Sequence, residues 1–98
     1  MKTNASKKIF SVVQTAYGEE TIIGEKMSMT AAKNLAFESA KKEADLYSGD
    51  WQYSFETNGT SIYFHSNDRL GMKKELVARR GYDICEVRDY KFEVRSLK

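Results

Sequence analysis

The chain contains one histidine, His65, and one cysteine, Cys85. A thiolate beside an imidazole is a nucleophile with its own base, so this pair is the first constellation to weigh for catalysis. Nothing in the local sequence draws the two together. Cys85 stands among alternating strand residues, where a cysteine commonly serves as a small hydrophobe. Carboxylates are numerous but scattered. Glu19-Glu20, Glu43 with Asp45, and Glu86 with Asp89 each supply an acid, yet none comes with a pocket that would separate acid from base roles. The chain has no Gly-rich phosphate loop, no nucleophile elbow and no paired-histidine metal motif. A single Cys excludes an intrachain disulfide, and one Cys with one His excludes the usual zinc clusters. No metal and no cofactor is expected.

The basic residues carry more. Between positions 69 and 80, Arg69, Lys73, Lys74, Arg79 and Arg80 stand against Glu75 alone. Positions 73, 76, 77 and 80 have the i, i+3, i+4, i+7 spacing of a core-facing helical stripe, but only Leu76 and Val77 are apolar. On such a helix Lys73 and Arg80 flank the stripe, their methylene stems covering its edge while the charges reach water. The functional alternative is a cationic ridge for phosphates or for an acidic protein patch. Arg79 and Arg80 also suit a helix C-terminus, where the backbone dipole favours positive charge. With Tyr63 and His65 on an exposed sheet face, these residues make the expected partner-binding set: Arg69, Lys73, Lys74, Arg79, Arg80, Tyr63 and His65.

The elements that must position them follow from periodicity. Residues 1–7 read as a loosely ordered polar tail, and 8–98 as one domain. Lys8 to Ala16 and Thr21 to Ser28 are rich in β-branched residues and flank Tyr17-Gly18-Glu19-Glu20, which reads as a hairpin. Ser28 or Thr30 caps a helix whose broad buried face holds Ala32, Leu35, Ala36, Ser39, Ala40, Ala44, Leu46 and Tyr47. Asn34, Glu38, Lys41, Lys42 and Asp45 fill the other face, with Glu38–Lys42 and Lys41–Asp45 at ion-pair spacing. Gly49 supplies the stop.

Trp51 to Glu56 alternates aromatic with polar and runs into Asn58-Gly59, a dipeptide that accepts positive φ at both central turn positions. A two-residue turn there pairs Phe55 with Ile62 and Tyr53 with Phe64. Trp51, Tyr53, Phe55, Ile62 and Phe64 then share one face, leaving Tyr63 and His65 on the other. That assigns the aromatic stripe to the core and argues against a base-stacking platform. A second helix is expected from Ser66 or Asn67 to Arg80, stopped by Gly81. Tyr82 to Ser96 reads as strand with a bulge or turn near Arg88-Asp89. The expected fold is α+β, order β-β-α-β-β-α-β, with a mostly antiparallel sheet and two helices on one face.

The 98 residues carry a net charge of +2, well short of the strongly basic balance of a dedicated nucleic-acid binder. No stretch is long and apolar enough to span a membrane, and the N-terminal residues lack the apolar core of a secretory signal, so cytoplasmic residence is expected. A domain of this size without a catalytic motif is read as a non-enzymatic protein-interaction module, an adaptor or inhibitor in the style of small phage or mobile-element accessory proteins. The alternative is RNA or DNA binding through the basic second helix. A third reading is a small enzyme using His65 or Cys85. A homodimer through an edge strand, with Tyr90 to Arg95 as the candidate, completes the expectations.

Overall fold

The computed structural model describes residues 9–49, 52–68 and 71–96; the expected tail at 1–7 lies outside them. The first apolar run forms strand β1, Phe10–Ala16, and the chain reverses at Tyr17-Gly18 into β2, Glu19–Met27. Both turn residues take positive φ, 54° at Tyr17 and 83° at Gly18, the twist that a two-residue hairpin requires. The first hairpin therefore forms as expected, with Ala16 opposite Glu19, Gln14 opposite Thr21 and Val13 opposite Ile22.

Ser28 Oγ accepts the Ala31 N–H at 3.2 Å and caps helix α1, Met29–Asp45. Ala32, Ala36, Ala40 and Ala44 are buried, their small side chains letting the helix lie close to the strands beneath. Two neighbours depart from the expected wheel. Phe37 is fully buried, whereas Leu46, one residue beyond the helix, is exposed. Glu38 reaches Arg80 rather than Lys42, and Asp45 Oδ1 accepts the Thr57 hydroxyl at 2.9 Å.

Strands β3, Tyr53–Thr57, and β4, Ser61–Asp68, meet through a turn built by one side chain. Asn58 Oδ1 accepts the N–H groups of Thr60 and Ser61 at 2.8 Å each, and the Asn58 N–H donates to the Ser61 carbonyl at 3.0 Å. That geometry sets Phe55 opposite Phe64 and Thr57 opposite Ile62, two residues away from the register of a tight Asn-Gly turn. A slip of two leaves every side chain on its original face. Phe55 and Ile62 are accordingly buried and Phe64 packs against them, while Trp51 lies outside the described residues.

The expected second helix is corrected to a strand. β5, Gly71–Arg79, pairs antiparallel with β4, and only Arg69 and Leu70 of the intervening chain lie outside the described residues. The helical reading rested on Leu76 and Val77 being adjacent and apolar. A register shift opposite Ile62 and Tyr63 accommodates them in a strand: Ile62 pairs with Ala78 and Tyr63 with Leu76, so Val77 is the extra residue of a bulge. Pairing with β4 outweighs the helix propensity of Lys73, Lys74, Glu75 and Leu76.

β6, Ile84–Val87, and β7, Tyr90–Ser96, flank a turn at Arg88-Asp89, where the break was expected. The observed order is β-β-α-β-β-β-β-β. One helix and two antiparallel sheets, β2-β1-β7-β6 and β3-β4-β5, replace the two helices on one sheet; the broad α+β class stands. β7 is hydrogen-bonded to β1 along its length and to β6 over Tyr90 to Glu93, so that part of the expected edge is internal to the sheet. Val12, Val87 and Phe92 from the first sheet, Phe37 from α1, and Phe55 and Ile62 from the second sheet close a single core.

Candidate functional site

Strand alternation separates the residues that a helix would have gathered. Lys73 and Lys74 lie opposite Ser66 and His65, and so face opposite sides of the second sheet. The cationic ridge is therefore absent. Three of the expected set do come together on the outer face: Tyr63, His65 and Lys74 surround Glu56. His65 Nε2 lies 2.6 Å from Glu56 Oε1, Lys74 Nζ lies 3.5 Å from the same oxygen, and Lys74 sits 4.5 Å from the Tyr63 ring centre. The His65 hydrogen bond first, and the Lys74 charge second, hold the Glu56 carboxyl below its ordinary range. These charges satisfy one another. A histidine–carboxylate pair orients an imidazole, but neither Cys85 nor a second acid joins it.

Arg79 is exposed on β5, whereas Arg80 works inside the fold. Arg80 Nε donates to the Gly59 carbonyl at 2.9 Å, Nη1 to Asn34 Oδ1 at 3.3 Å and Nη2 to Glu38, with the guanidinium 4.6 Å from the Phe37 ring centre. It fastens the β3–β4 turn to α1. Arg69 lies outside the described residues. Cys85 is fully buried on β6, its thiol donating to the Arg79 carbonyl at 3.9 Å, and burial pushes its pKa up. A buried protonated thiol, with His65 facing outward from the other sheet, is no nucleophile–base pair. Among the described residues no cluster of three His, Cys, Asp or Glu side chains is placed to hold a metal ion.

The outer face of the first sheet is likewise occupied by its own charges. Arg95 Nη2 donates to Glu20 at 2.9 Å and to Glu93 at 3.1 Å, and Lys91 lies 3.9 Å from Glu93. Arg95 stands opposite Ser11 and Glu20 opposite Thr15, so their bond crosses β1 over Val13, which explains why Val13 is buried on that face.

One end of the molecule is different. The β1–β2 turn, the β6–β7 turn and the C-terminal end of α1 converge there. Tyr17 is 75% exposed and Leu46 73% exposed, the largest exposures of any large apolar side chain among the described residues. Tyr17 meets Tyr90 edge to face at 6.0 Å, and Arg88 lies 5.1 Å from the Tyr47 ring centre and 5.0 Å from that of Tyr53. Arg88 Nη1 donates to the Tyr53 hydroxyl at 2.8 Å. Tyr17 and Arg88 both hold φ at 54°, a conformation that costs a side-chain-bearing residue about 1–2 kcal/mol. Bulky residues kept in strained turn positions gather at functional surfaces more than elsewhere.

No protein-family model, curated protein or solved structure matches this chain.

Four carboxylates gather at this end beside the basic Arg88 and Lys42. Glu19 begins β2, Glu43 and Asp45 close α1, and Asp89 follows Arg88, at the helix end whose carbonyls carry partial negative charge. The Glu43 carboxylate first, then burial, pushes the Tyr90 phenol up. Sequence reasoning missed this cluster because its members lie far apart in the chain. One local signal existed: a tyrosine stands where a tight turn favours Asn, Asp or Gly.

Proposed function

We propose that the protein is a non-enzymatic protein-interaction module, an adaptor or inhibitor that presents the Tyr17, Leu46, Tyr47, Tyr53, Arg88 and Tyr90 end to a partner protein. The observation that carries this reading is the exposure of Tyr17 and Leu46 beside the arginine–tyrosine stack. Interface hot spots are rich in Tyr, Trp and Arg, because such side chains bury large areas at small conformational cost while keeping a polar tip. Here the tyrosines and Arg88 already brace one another, so less ordering remains to be done on binding.

The acidic surroundings oppose a phosphate backbone, and the basic residues that suggested nucleic acid are spread over both faces of β5 or committed to the fold. The partner surface is therefore apolar with basic residues at its rim. Cytoplasmic residence accords with the unpaired buried thiol, and no helix among the described residues is long and apolar enough to cross a membrane.

The test is affinity capture from native lysate, with and without nuclease, by the intact protein and by a Tyr17→Asp/Leu46→Asp variant whose fold is verified by circular dichroism. A nuclease-resistant partner held by the first and lost by the second supports the reading. Material that disappears with nuclease, or that both proteins hold equally, contradicts it.

A further inference from the structure

We propose that the open edge of β2 is a strand-addition site for an extended peptide that alternates apolar and basic side chains. This rests on the protein-binding reading above and names the partner's form. The two-residue turn at Tyr17-Gly18 makes Ala16 and Glu19 the closing pair, which exchange both backbone hydrogen bonds; the next such pair is Gln14 with Thr21. Glu20 and Ile22 therefore turn their N–H and C=O groups away from β1. β2 ends its sheet, so no described strand receives them.

The other edge strands each lie close to another element. β6 and β5 lie against each other, and β3 lies against α1, where Tyr47 meets Phe55 at 5.7 Å. Between Glu19 and Ile22 the β2 edge has no proline and no bulge, and Ile22 is 56% exposed. The open stretch ends there: Ile23 is the extra residue of a bulge, and Lys26, at φ 55°, bends the backbone further on.

The inner side of the same edge supplies a place for side chains. At Gly24 the strand touches α1, since a Cβ there would stand 2.6 Å from Leu35 Cδ2. Towards the Tyr17 end a groove of about 550 Å³ opens between strand and helix, its lining including Ile23, Leu35, Phe92 and Glu43. A strand added to β2 sends every second side chain to this inner side, the arrangement by which augmented sheets combine backbone affinity with side-chain selectivity.

Charge selects the occupant. In the groove Lys41 and Lys42 offset Glu43 and Asp45, so the selecting charge is on the strand: Glu20 is engaged by Arg95, but Glu19 and Glu25 have no ion pair among the described residues. Basic residues alternating with apolar ones complement this edge. A second copy paired antiparallel about Ile22 is disfavoured, because that register sets Glu19 against Glu25.

The experiment is residue-resolved amide hydrogen exchange on the full chain with capped octapeptides alternating Val with Lys, or Val with Glu. The Val–Lys peptide is expected to slow exchange at Glu20 and Ile22 roughly ten-fold or more at saturation, and the Val–Glu peptide to leave it unchanged. Ile22→Pro removes only an N–H that points away from β1, so it abolishes the protection while the β1–β2 hairpin persists. Unchanged exchange in the wild-type chain overturns the proposal, as does protection without peptide accompanied by a doubled mass in sedimentation. A lysate partner retained by Ile22→Pro but lost by the Tyr17 variant sinks strand addition alone and leaves the protein-binding reading standing.

Discussion

The Arg88 guanidinium lies 5.1 Å from the Tyr47 ring centre, tying the β6–β7 turn to the end of α1. Its backbone sits at φ 54°, so strain and stacking oppose each other at one residue. Arg88→Ala keeps the strain and loses the stack and the Tyr53 hydrogen bond, which predicts a lower stability than the wild type. Arg88→Gly loses the same contacts but regains about 1 kcal/mol from the relieved backbone, and is expected to be the more stable of the two. Urea denaturation orders them; glycine below alanine would contradict the strain assignment.

Arg80 joins Gly59, Asn34 and Glu38, elements that have no covalent proximity. Arg80→Ala should cost about 2 kcal/mol, since the hydrogen bonds of a charged donor and the guanidinium's contact with the buried Phe37 ring are lost together. For a domain of this size that lowers Tm by about 10 °C. Arg80→Lys should recover little of it, because a point charge cannot reproduce the planar fork. A lysine variant melting with the wild type would show that charge alone suffices.

Glu20 and Glu56 both titrate below their ordinary value of 4.5, through hydrogen bonds from Arg95 and His65 respectively. A carboxyl with a depressed folded-state pKa contributes stability that is present above the unfolded value and lost as pH falls through the folded one. The stability curve should therefore decline below about pH 4.5, and more gently in a Glu20→Gln/Glu56→Gln variant. Equal acid slopes in the two proteins would remove these groups from the account.

Lys73→Glu with Arg79→Glu is expected to leave capture of a protein partner unaltered, because neither residue belongs to the Tyr17 end. Loss of capture in that variant, with the fold intact, would move the interaction surface to β5.

Parts of this fold were legible and parts were not, for reasons that differ by element. α1 was readable because Ser28 and the alanines at 32, 36, 40 and 44 signal one helix by independent means. The aromatic face was readable although the turn was not: the Asn58 side chain lengthened the loop by an even count, and period-two alternation survives such an error. β5 was misread because a bulge lets Leu76, Val77 and Ala78 stand consecutively in a strand, and adjacent apolar residues mimic helical spacing. The expected binding set dissolved with that helix, leaving Tyr63, His65 and Lys74 around Glu56. The Tyr17 end was nearly invisible because its one local signal is a tyrosine in a tight turn. Only the neighbouring turns of β1–β2 and β6–β7, brought side by side by the pairing of β1 with β7, assemble it.

The most direct test of that assembly is the strength with which a captured partner binds the intact protein and Tyr17→Ala/Leu46→Ala, measured by titration calorimetry in moderate salt. The two exposed side chains are predicted to be central to the interface, so affinity should fall by roughly a hundred-fold, about 2–3 kcal/mol, while stability falls by no more than about 1 kcal/mol from the lost Tyr17–Tyr90 contact. An unaltered affinity would place the partner elsewhere on the molecule and contradict the account.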